Sequence, residues 1–420
     1  MTATSPPGTR ATRTDTPAAD AIGTTVLLAL GLLSAIAPLA TDLYLPTFPT
    51  MAAELGTSST VIQLTLTTFL LGLTVGQLVF GPLSDRLGRR VPLVIGSALL
   101  VAASLACVLA PDPTVLVAAR LVQGFAGAAG MVIGRAMIAD MAAGPAAARA
   151  FSLMMLVSGV APVIAPVLGG LLGDRLGWRG LLSLVLALSL IMLLTVLLGT
   201  RETLPAARRA RRRERPAGAA TTSPLRSRVY LGRTITFACS FAAMMAYISA
   251  SPFIYQQLMG LGTAAYGAAF GANALALMAV SALSARLAAR MAPARLLRIG
   301  IAALGISVAA GLALCLTGAD PRWLMLPILT ATAAQGLILG NATALALASV
   351  PQGAGTASAV LGALQFGLGA LVTPLVSLGD GTGALPMLLV MAVCTLAAAA
   401  GGLIARTAPD EAAPPTVRTA

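Results

Sequence analysis

Two charged residues lie inside stretches of the sequence that are otherwise long and apolar. Asp42 stands in ATDLYLP, shortly before Pro46 and Pro49 end its segment, and Arg120 stands in ARLVQGFAGAAG. An ionisable side chain in an apolar span is costly unless it faces water or a partner, so Asp42 is a candidate functional residue. Arg120 is a candidate partner, because it lies at a similar depth and would stabilise the charged carboxylate. The alternatives are that Asp42 is exposed to water at its helix end and that Arg120 extends to the lipid headgroups.

A charged turn, GPLSDRLGRR at 81–90, forms a second cluster. Asp140 lies near the end of a later apolar span and is placed to pair with the arginines of this turn. Such a pair is a candidate gate if it forms in only one conformation, and an ordinary salt bridge is the alternative. Arg135 lies near the same end of that span, about 22 Å of helix from Arg120, so these two cannot share one site. The candidate gating residues are Asp85, Arg86, Arg89, Arg90 and Asp140.

Glycine and proline are concentrated in one apolar span, at 149–173. Small residues allow close helix packing in membranes, and prolines kink helices. Pro162 and Pro166 are four residues apart, so they mark one face of the helix. Generic packing is one interpretation, and a specialised helix is the other. The residues concerned are Gly159, Pro162, Pro166, Gly169 and Gly170.

Polar and aromatic groups on other apolar spans are candidate ligand contacts. Tyr247, Ser251 and Tyr255 follow one another at intervals of four residues and therefore share a helix face. Each polar group could instead make a hydrogen bond between helices, but together they describe an apolar pocket with a few oriented polar groups. The full set is Tyr44, Gln123, Tyr247, Ser251, Tyr255, Asn273, Asn341 and Gln365.

The composition predicts a helical membrane protein that positions these residues. The chain is 57% hydrophobic and 10% charged, and its mean hydropathy is +0.90. Several segments run near 20 apolar residues, about the length that crosses a bilayer as a helix. The alternation expected of barrel strands is missing. An enzyme is unsupported, because the sequence has no histidine, no clustered metal ligands and no phosphate-binding loop for ATP. No catalytic residue, cofactor or metal is therefore expected.

Twelve spans are predicted, near 24–45, 59–80, 91–110, 114–138, 149–173, 178–199, 230–254, 264–285, 296–317, 323–346, 356–378 and 383–405. They divide the chain into a disordered N-terminus (1–22), a six-helix bundle (23–199), a basic linker (200–229), a second six-helix bundle (230–405) and a tail (406–420).

All 27 basic residues are arginines. With Arg120 and Arg135 set aside as lying within a span, 22 fall on one side and 3 on the other, so both termini and the linker are expected in the cytoplasm. Because the arginines are spread between apolar segments, the expected partner is the bilayer and no nucleic acid.

The two halves of the chain resemble each other. SALSARLAAR at 281–290 matches GPLSDRLGRR at 81–90 in five positions, and each copy follows the second span of its half. Two six-span halves joined by a cytoplasmic loop are the layout of transporters whose halves rock around a central site. The repeat DRLG at 174–177 falls in an outside loop, so no gating role is expected for it.

Three motifs resemble those of the major facilitator superfamily. GPLSDRLGRR resembles its signature after the second helix, ARLVQGFAGAAG its R-x-x-Q-G pattern in the fourth, and SGVAPVIAPVLGGLLGDRLGW (158–178) the antiporter motif of the fifth. More narrowly, ATDLYLPTFP, AYISASPFIYQ, GNATALAL and GTASAVLGALQFGLGAL resemble the Bcr/CflA subfamily of drug:proton antiporters. The resemblance covers about residue 20 to 405. Ala165-Pro166 departs from the wider antiporter pattern, which has Gly-Pro before its glycine pair.

This resemblance implies an all-α integral membrane protein with the major facilitator fold, twelve helices in two six-helix bundles. It implies proton-coupled efflux of small amphiphilic antibiotics by a monomer in the cytoplasmic membrane, conferring resistance, with chloramphenicol-like compounds preferred. Asp42 would couple protons, the fifth helix would keep protons from leaking, and Asp85 would meet the start of the eleventh helix near Gly355 and Thr356 as a latch. The alternative is an exporter of the same fold whose substrate is a sugar, a siderophore or another metabolite.

Overall fold

The computed structural model describes residues 24–141, 144–204, 227–350, 354–377 and 383–406. The predicted N-terminal segment 1–22, most of the predicted linker and the predicted tail lie outside these residues. The described part of the chain is almost entirely helical.

The helices follow in the order of the predicted spans. Those of the first half are α1 (Thr24–Asp42), the short α2 (Phe48–Glu54), α3 (Ser59–Leu87), α4 (Arg90–Leu109), α5 (Pro113–Met141) and α6 (Gly144–Gly199). Those of the second half are α7 (Arg228–Phe253), α8 (Thr263–Leu287), α9 (Pro293–Leu316), α10 (Met325–Ala348), α11 (Ala354–Val372) and α12 (Ala384–Arg406). A π-helical segment, Ile254–Leu258, prolongs α7, and 3-10 turns occupy Leu45–Thr47, Pro321–Leu324 and Thr373–Ser377.

Within the described residues, ten helices are long and apolar enough to cross a membrane. One of them, α6, contains two predicted spans, 149–173 and 178–199. Its two arms are separate helices that meet at a kink at Gly177, whose non-helical φ of 62° is readily adopted only by glycine. The loop predicted at 174–177 is reduced to this kink. The helix α1 corresponds to the first predicted span and is not among the ten, so the number twelve stays a prediction.

The first predicted span ends differently from the prediction. The helix α1 stops at Asp42, three residues early, and the chain continues through the 3-10 turn Leu45–Thr47 into α2, which was not predicted. Pro46 and Pro49 explain the break, because each proline lacks the amide N–H that a continuing helix would need. Asp42 is therefore the last helical residue of its span.

The helices pack as two groups that meet along two seams. In the first group, α3 packs on α5, α1 on α6, and α4 on both α5 and α6; in the second, α7 packs on α12, α9 on α10, and α8 on α10. The seams between the groups are α6 with α8 and α3 with α11. Some pairs approach very closely: a side chain at Gly124 of α5 would collide with the backbone carbonyl of Phe69 of α3. Such approaches are typical of helices packed within a membrane.

The outer surface is apolar in the way that contact with lipid requires. Leu198, Ile306, Leu316 and Leu396 expose 87%, 71%, 75% and 71% of their surface, and they belong to a large set of exposed apolar side chains spread over the helices. The turns at 88–89 and 288–292 lie at one end of the helices, called here the basic end. The turns at 43–58 and 254–262 lie at the other, called the opposite end.

Candidate functional site

A cavity of about 380 Å³ lies between the two groups of helices. Residues of α1, α3, α5 and α6 line one side, and residues of α7, α8, α10 and α11 line the other. Most of the lining is apolar, as in sites for small organic molecules. Its polar members are Ser34, Thr41, Asp42, Arg135, Ser158, Tyr247, Asn273, Thr332 and Gln365.

The cavity extends toward the basic end between α6 and α8. Near the opposite end these two helices touch, because Gly267 of α8 packs on the backbone carbonyl of Pro166 of α6. Closer to the basic end, Gly159 of α6 and Leu277 of α8 both line the cavity, and a side chain at Gly159 would meet nothing within 4 Å. The two helices therefore close the opposite end and diverge toward the basic end.

Asp42 faces this cavity from the end of α1. Its residue surface is only 5% exposed, so it is not a water-exposed helix terminus, and that alternative is wrong. The neighbouring Thr41 hydroxyl donates to the carbonyl of Pro38, a bond made within α1. Across the residues that the structure describes, Asp42 forms no ion pair. Asp42 is thus a buried carboxyl group on the wall of an apolar chamber.

Arg120 is not the partner of Asp42 in this conformation, contrary to the prediction. Its Nη1 donates to Oε1 of Gln123 at 2.6 Å, and its guanidinium carbon lies 4.6 Å from the ring centre of Tyr44 and 4.3 Å from that of Phe69. Arg120 is fully buried, so the alternative of a headgroup contact is wrong as well. Equal depth does not fix the direction of a side chain: Asp42 turns to the cavity, whereas Arg120 points into the first group of helices and is stabilised by aromatic faces.

Three of the predicted ligand contacts line the cavity. They are Tyr247, Asn273 and Gln365. The amide nitrogen of Asn273 donates to the hydroxyl oxygens of Tyr247 at 2.6 Å and Tyr255 at 3.2 Å, so α7 and α8 present a joined polar patch. The predicted shared face of α7 is confirmed, since Tyr247, Tyr255 and Ser251 all contact α8.

The other five predicted ligand contacts do not line the cavity in this conformation. Each makes hydrogen bonds within its own group of helices, which was the alternative interpretation. Their partners are Thr65 for Tyr44, Ser104 for Gln123, Tyr266 for Ser251, Asn273 for Tyr255, and Ser284 for Asn341. Because these bonds satisfy buried polar groups, the side chains have little tendency to turn toward the cavity.

The glycine- and proline-rich part of α6 has two distinct halves. Gly159 and Pro162 line the cavity, whereas the residues nearer the opposite end are closely packed. A side chain at Gly169 would collide with the carbonyl of Leu43, and one at Gly170 would lie 2.8 Å from the carbonyl of Thr263 on α8. The same helix therefore borders the chamber and contributes to its closure.

In the charged turn between α3 and α4, one arginine, Arg89, binds several of the polar side chains around it. Arg89 Nε donates to Oδ2 of Asp140 at 2.8 Å, and its Nη1 donates to Asp85 at 2.7 Å and to the Ser84 hydroxyl at 2.8 Å. The predicted pairing of Asp140 with this turn is confirmed. Burial lowers the pKa of the Arg89 guanidinium, but the bonds and charges of Asp140 and Asp85 outweigh it and raise that pKa. Arg86 and Arg90 are exposed, and Arg90 donates through Nη2 to the carbonyl of Leu197.

Glu202, just beyond α6, is a member of this cluster that the sequence did not reveal. Its carboxylate accepts from the backbone N–H groups of Arg89 at 2.9 Å and Arg90 at 3.3 Å, at the start of α4. Negative charge is favourable at a helix N-terminus, where N–H groups lack partners. Gly88 makes room for it, since a side chain there would collide with the Glu202 carboxylate, and its φ of 94° also suits glycine.

Two features of the cavity wall were missed by sequence reasoning. Arg135 was assigned to no site, although an arginine within an apolar span is itself a signal for function. Six of the 16 methionines in the chain also line the cavity: Met131, Met154, Met155, Met244, Met245 and Met278. Methionine is flexible and polarizable, so such a wall adapts to ligands of different shape. Methionines scattered over four helices give no local pattern from which this wall could be predicted.

Residues 30–374 match the sequence profile described as Major Facilitator Superfamily. A Bacillus subtilis (strain 168) protein named "Uncharacterized MFS-type transporter YdgK" is 36% identical over 371 residues, which are 87% of this chain and 91% of that protein. A Haemophilus influenzae protein named "Bicyclomycin resistance protein homolog" is 30% identical over 375 residues, which are 88% of this chain and 93% of that protein.

A bacterial homolog of the human lysosomal transporter Spinster, crystallised in an inward-facing and unoccupied conformation, superposes with a TM-score of 0.69 at 17% sequence identity. The match covers 91% of this chain and 96% of that one. The two chains share a fold.

Proposed function

The chain belongs to the Major Facilitator Superfamily, and we propose that it exports small amphiphilic antibiotics, chloramphenicol-like ones by preference, in exchange for protons. The observation that carries this proposal is the Asp42 carboxyl group on the wall of an otherwise apolar cavity. An apolar molecule with a few polar groups fits such a chamber, and one carboxyl group within it can bind and release a proton. The motif resemblance and the name of the Haemophilus influenzae relative support the substrate class.

The proposed cycle uses the two ends of the helices in turn. We place the basic end in the cytoplasm, because arginines collect on that side of membrane proteins. The drug reaches the cavity from the basic end, between α6 and α8. When the chamber opens at the opposite end, the drug leaves and Asp42 takes a proton from outside. When the chamber is closed at both ends, a neutral carboxyl group is less costly to bury than a carboxylate. Protonation of Asp42 therefore favours the return of the empty carrier.

Closed contacts at the opposite end support the barrier that this cycle requires. Gly170 and Gly267 bring α6 and α8 into backbone contact there, and Gln256 of the π-helical segment donates to the carbonyl of Pro46 at 2.8 Å.

At the basic end, we propose that the Arg89 cluster acts as a latch that is complete in one conformation. The contact of Asp85 with Gly355 and Thr356 stays a prediction. We further propose that the protein works as a monomer in the cytoplasmic membrane, with the start of α1 and the end of α12 both on the cytoplasmic side.

Uptake into everted membrane vesicles tests the proposal. With an imposed proton gradient, vesicles containing the protein should accumulate radiolabelled chloramphenicol, and collapse of the gradient should release it. Expression in a drug-sensitive host should raise the chloramphenicol concentration that stops growth. Gradient-driven uptake of a sugar or a siderophore, with no uptake of any antibiotic in the panel, would instead establish the alternative exporter of the same fold.

A further inference from the structure

Arg135 is the only basic residue among those that line the described cavity. It lies on α5 and is about half-buried. Its Nε donates to the carbonyl of Met131, one turn earlier on the same helix, at 3.0 Å. Its two terminal nitrogens make no hydrogen bond to any described residue. The Arg135 guanidinium is thus anchored through Nε, and its two terminal nitrogens are left to bind another molecule.

Within the described parts of the chain, no acidic residue forms an ion pair with this guanidinium. Asp140, five residues further along α5, already forms an ion pair with Arg89 at 2.8 Å. Asp42 is the one carboxylate on the described cavity wall, and it lies far away. Gly130 of α5 and Leu33 of α1 lie at the same height along the helix axes, because a side chain at Gly130 would lie 2.9 Å from the carbonyl of Leu33. From that level, Asp42 lies nine residues toward the opposite end and Arg135 five residues toward the basic end, about 20 Å apart along the helix axes.

We propose that Arg135 binds the electron-rich end of the transported molecule through a planar pair of acceptor oxygens, such as a nitro or carboxylate group. This inference rests on the proposed function and names the substrate chemistry. A guanidinium presents parallel N–H groups that match two such oxygens, and in a cavity with few polar groups these bonds are strong. Apolar walls on α6, α8 and α11 hold the rest of the molecule.

The separation of the two charges has a consequence for coupling. Substrate recognition at Arg135 and proton binding at Asp42 are separate events at opposite ends of the chamber. The drug therefore need not displace the proton directly, and coupling acts through which end of the chamber is open. A change at Arg135 should alter which molecules bind, while the dependence of transport on the proton gradient is kept.

Binding of matched ligand pairs to the purified full chain in lipid nanodiscs tests this proposal. The pairs are chloramphenicol with its analogue lacking the nitro group, and an aromatic carboxylate with its unsubstituted parent. Wild type should prefer the acceptor-bearing member of a pair. Arg135→Gln should weaken binding of that member by about 10- to 100-fold and leave the other unchanged, as expected for a lost bond to a charged group. Arg135→Lys, which keeps the charge without the parallel N–H groups, should fall between them.

The outcomes separate this proposal from the proposed function. An unchanged preference in Arg135→Gln, or no preference by wild type in any pair, would overturn the role of Arg135 even if drugs are transported. Preference for a carboxylate without proton-driven uptake of any antibiotic would support Arg135 and overturn drug efflux. A folding defect is recognised by binding of the unsubstituted members, which a folded Arg135→Gln protein retains.

Discussion

Arg89 Nε and Asp140 Oδ2 lie 2.8 Å apart, joining the start of α4 to the end of α5 at the basic end. The Arg89 side chain is 4% exposed and that of Asp140 is 8% exposed, so this is a buried ion pair at a membrane face. The second carboxylate on Arg89, from Asp85, is 37% exposed. The pair to Asp140 is therefore the stronger constraint of the two.

Removal of either partner of this pair should destabilise the protein. Arg89→Gln should lower the free energy of unfolding by about 3–5 kcal/mol, because the buried Asp140 carboxylate is left without a partner. Asp140→Asn should cost less than this, because Arg89 keeps its ion pair with Asp85. The double variant should lose less than the sum of the single variants, which a double-mutant cycle in mixed micelles measures. Asp85→Asn serves as the matched control and should cost less, since that carboxylate is partly solvated. Additive losses in the cycle would contradict a direct Arg89–Asp140 interaction.

Substitution of Asp42 should separate binding from coupling. Asp42→Asn keeps the shape and polarity of the side chain but cannot release a proton, so uptake driven by a proton gradient should stop while drug-for-drug exchange continues. Both rates are measured in everted vesicles. Asp174→Asn is the control, because that carboxylate is exposed on α6 near the opposite end and should behave as wild type. Gradient-driven accumulation retained by Asp42→Asn would refute the proton-carrier role.

A side chain added at the seam of α6 and α8 should open that seam. The methyl group of Gly170→Ala would lie 2.8 Å from the carbonyl of Thr263, so the helices must move apart at a cost of about 1–3 kcal/mol. We expect a lower melting temperature and faster proton leak through proteoliposomes. Gly159→Ala on the same helix has open space and should change neither quantity. Equal behaviour of the two variants would mean that the seam is not the barrier.

The Glu202 carboxylate should stabilise the turn before α4. Glu202→Ala leaves the N–H groups of Arg89 and Arg90 without their acceptor and should lower the free energy of unfolding by about 1–3 kcal/mol. Glu202→Gln keeps a carbonyl acceptor of similar length and should recover part of this loss. Thermal unfolding in the same micelles compares the variants. If Glu202→Ala melts with wild type, the contact contributes nothing to stability.

The sequence was most informative where the membrane itself imposes the pattern. Apolar length predicted the spans to within a few residues for most helices, and the cost of a charge in such a span singled out Asp42. The pairing of Asp140 with the 81–90 turn followed from span order, since both fall at the same end. The contact between Arg89 and Glu202 did not, because the two residues are 113 positions apart and either could have paired locally.

By itself the sequence determined that the chain is helical, that it enters a membrane, which ends of its helices carry positive charge, and the depth of each polar residue. It also determined which residues share a face of one helix, as Tyr247, Ser251 and Tyr255 do. Only the tertiary structure decided what each face meets: Asp42 and Arg135 line the chamber, while Arg120 at a depth similar to Asp42 stacks on Tyr44 and Phe69. The physical reason is that helical periodicity fixes side-chain directions relative to one another, whereas packing between helices fixes each helix's rotation about its own axis.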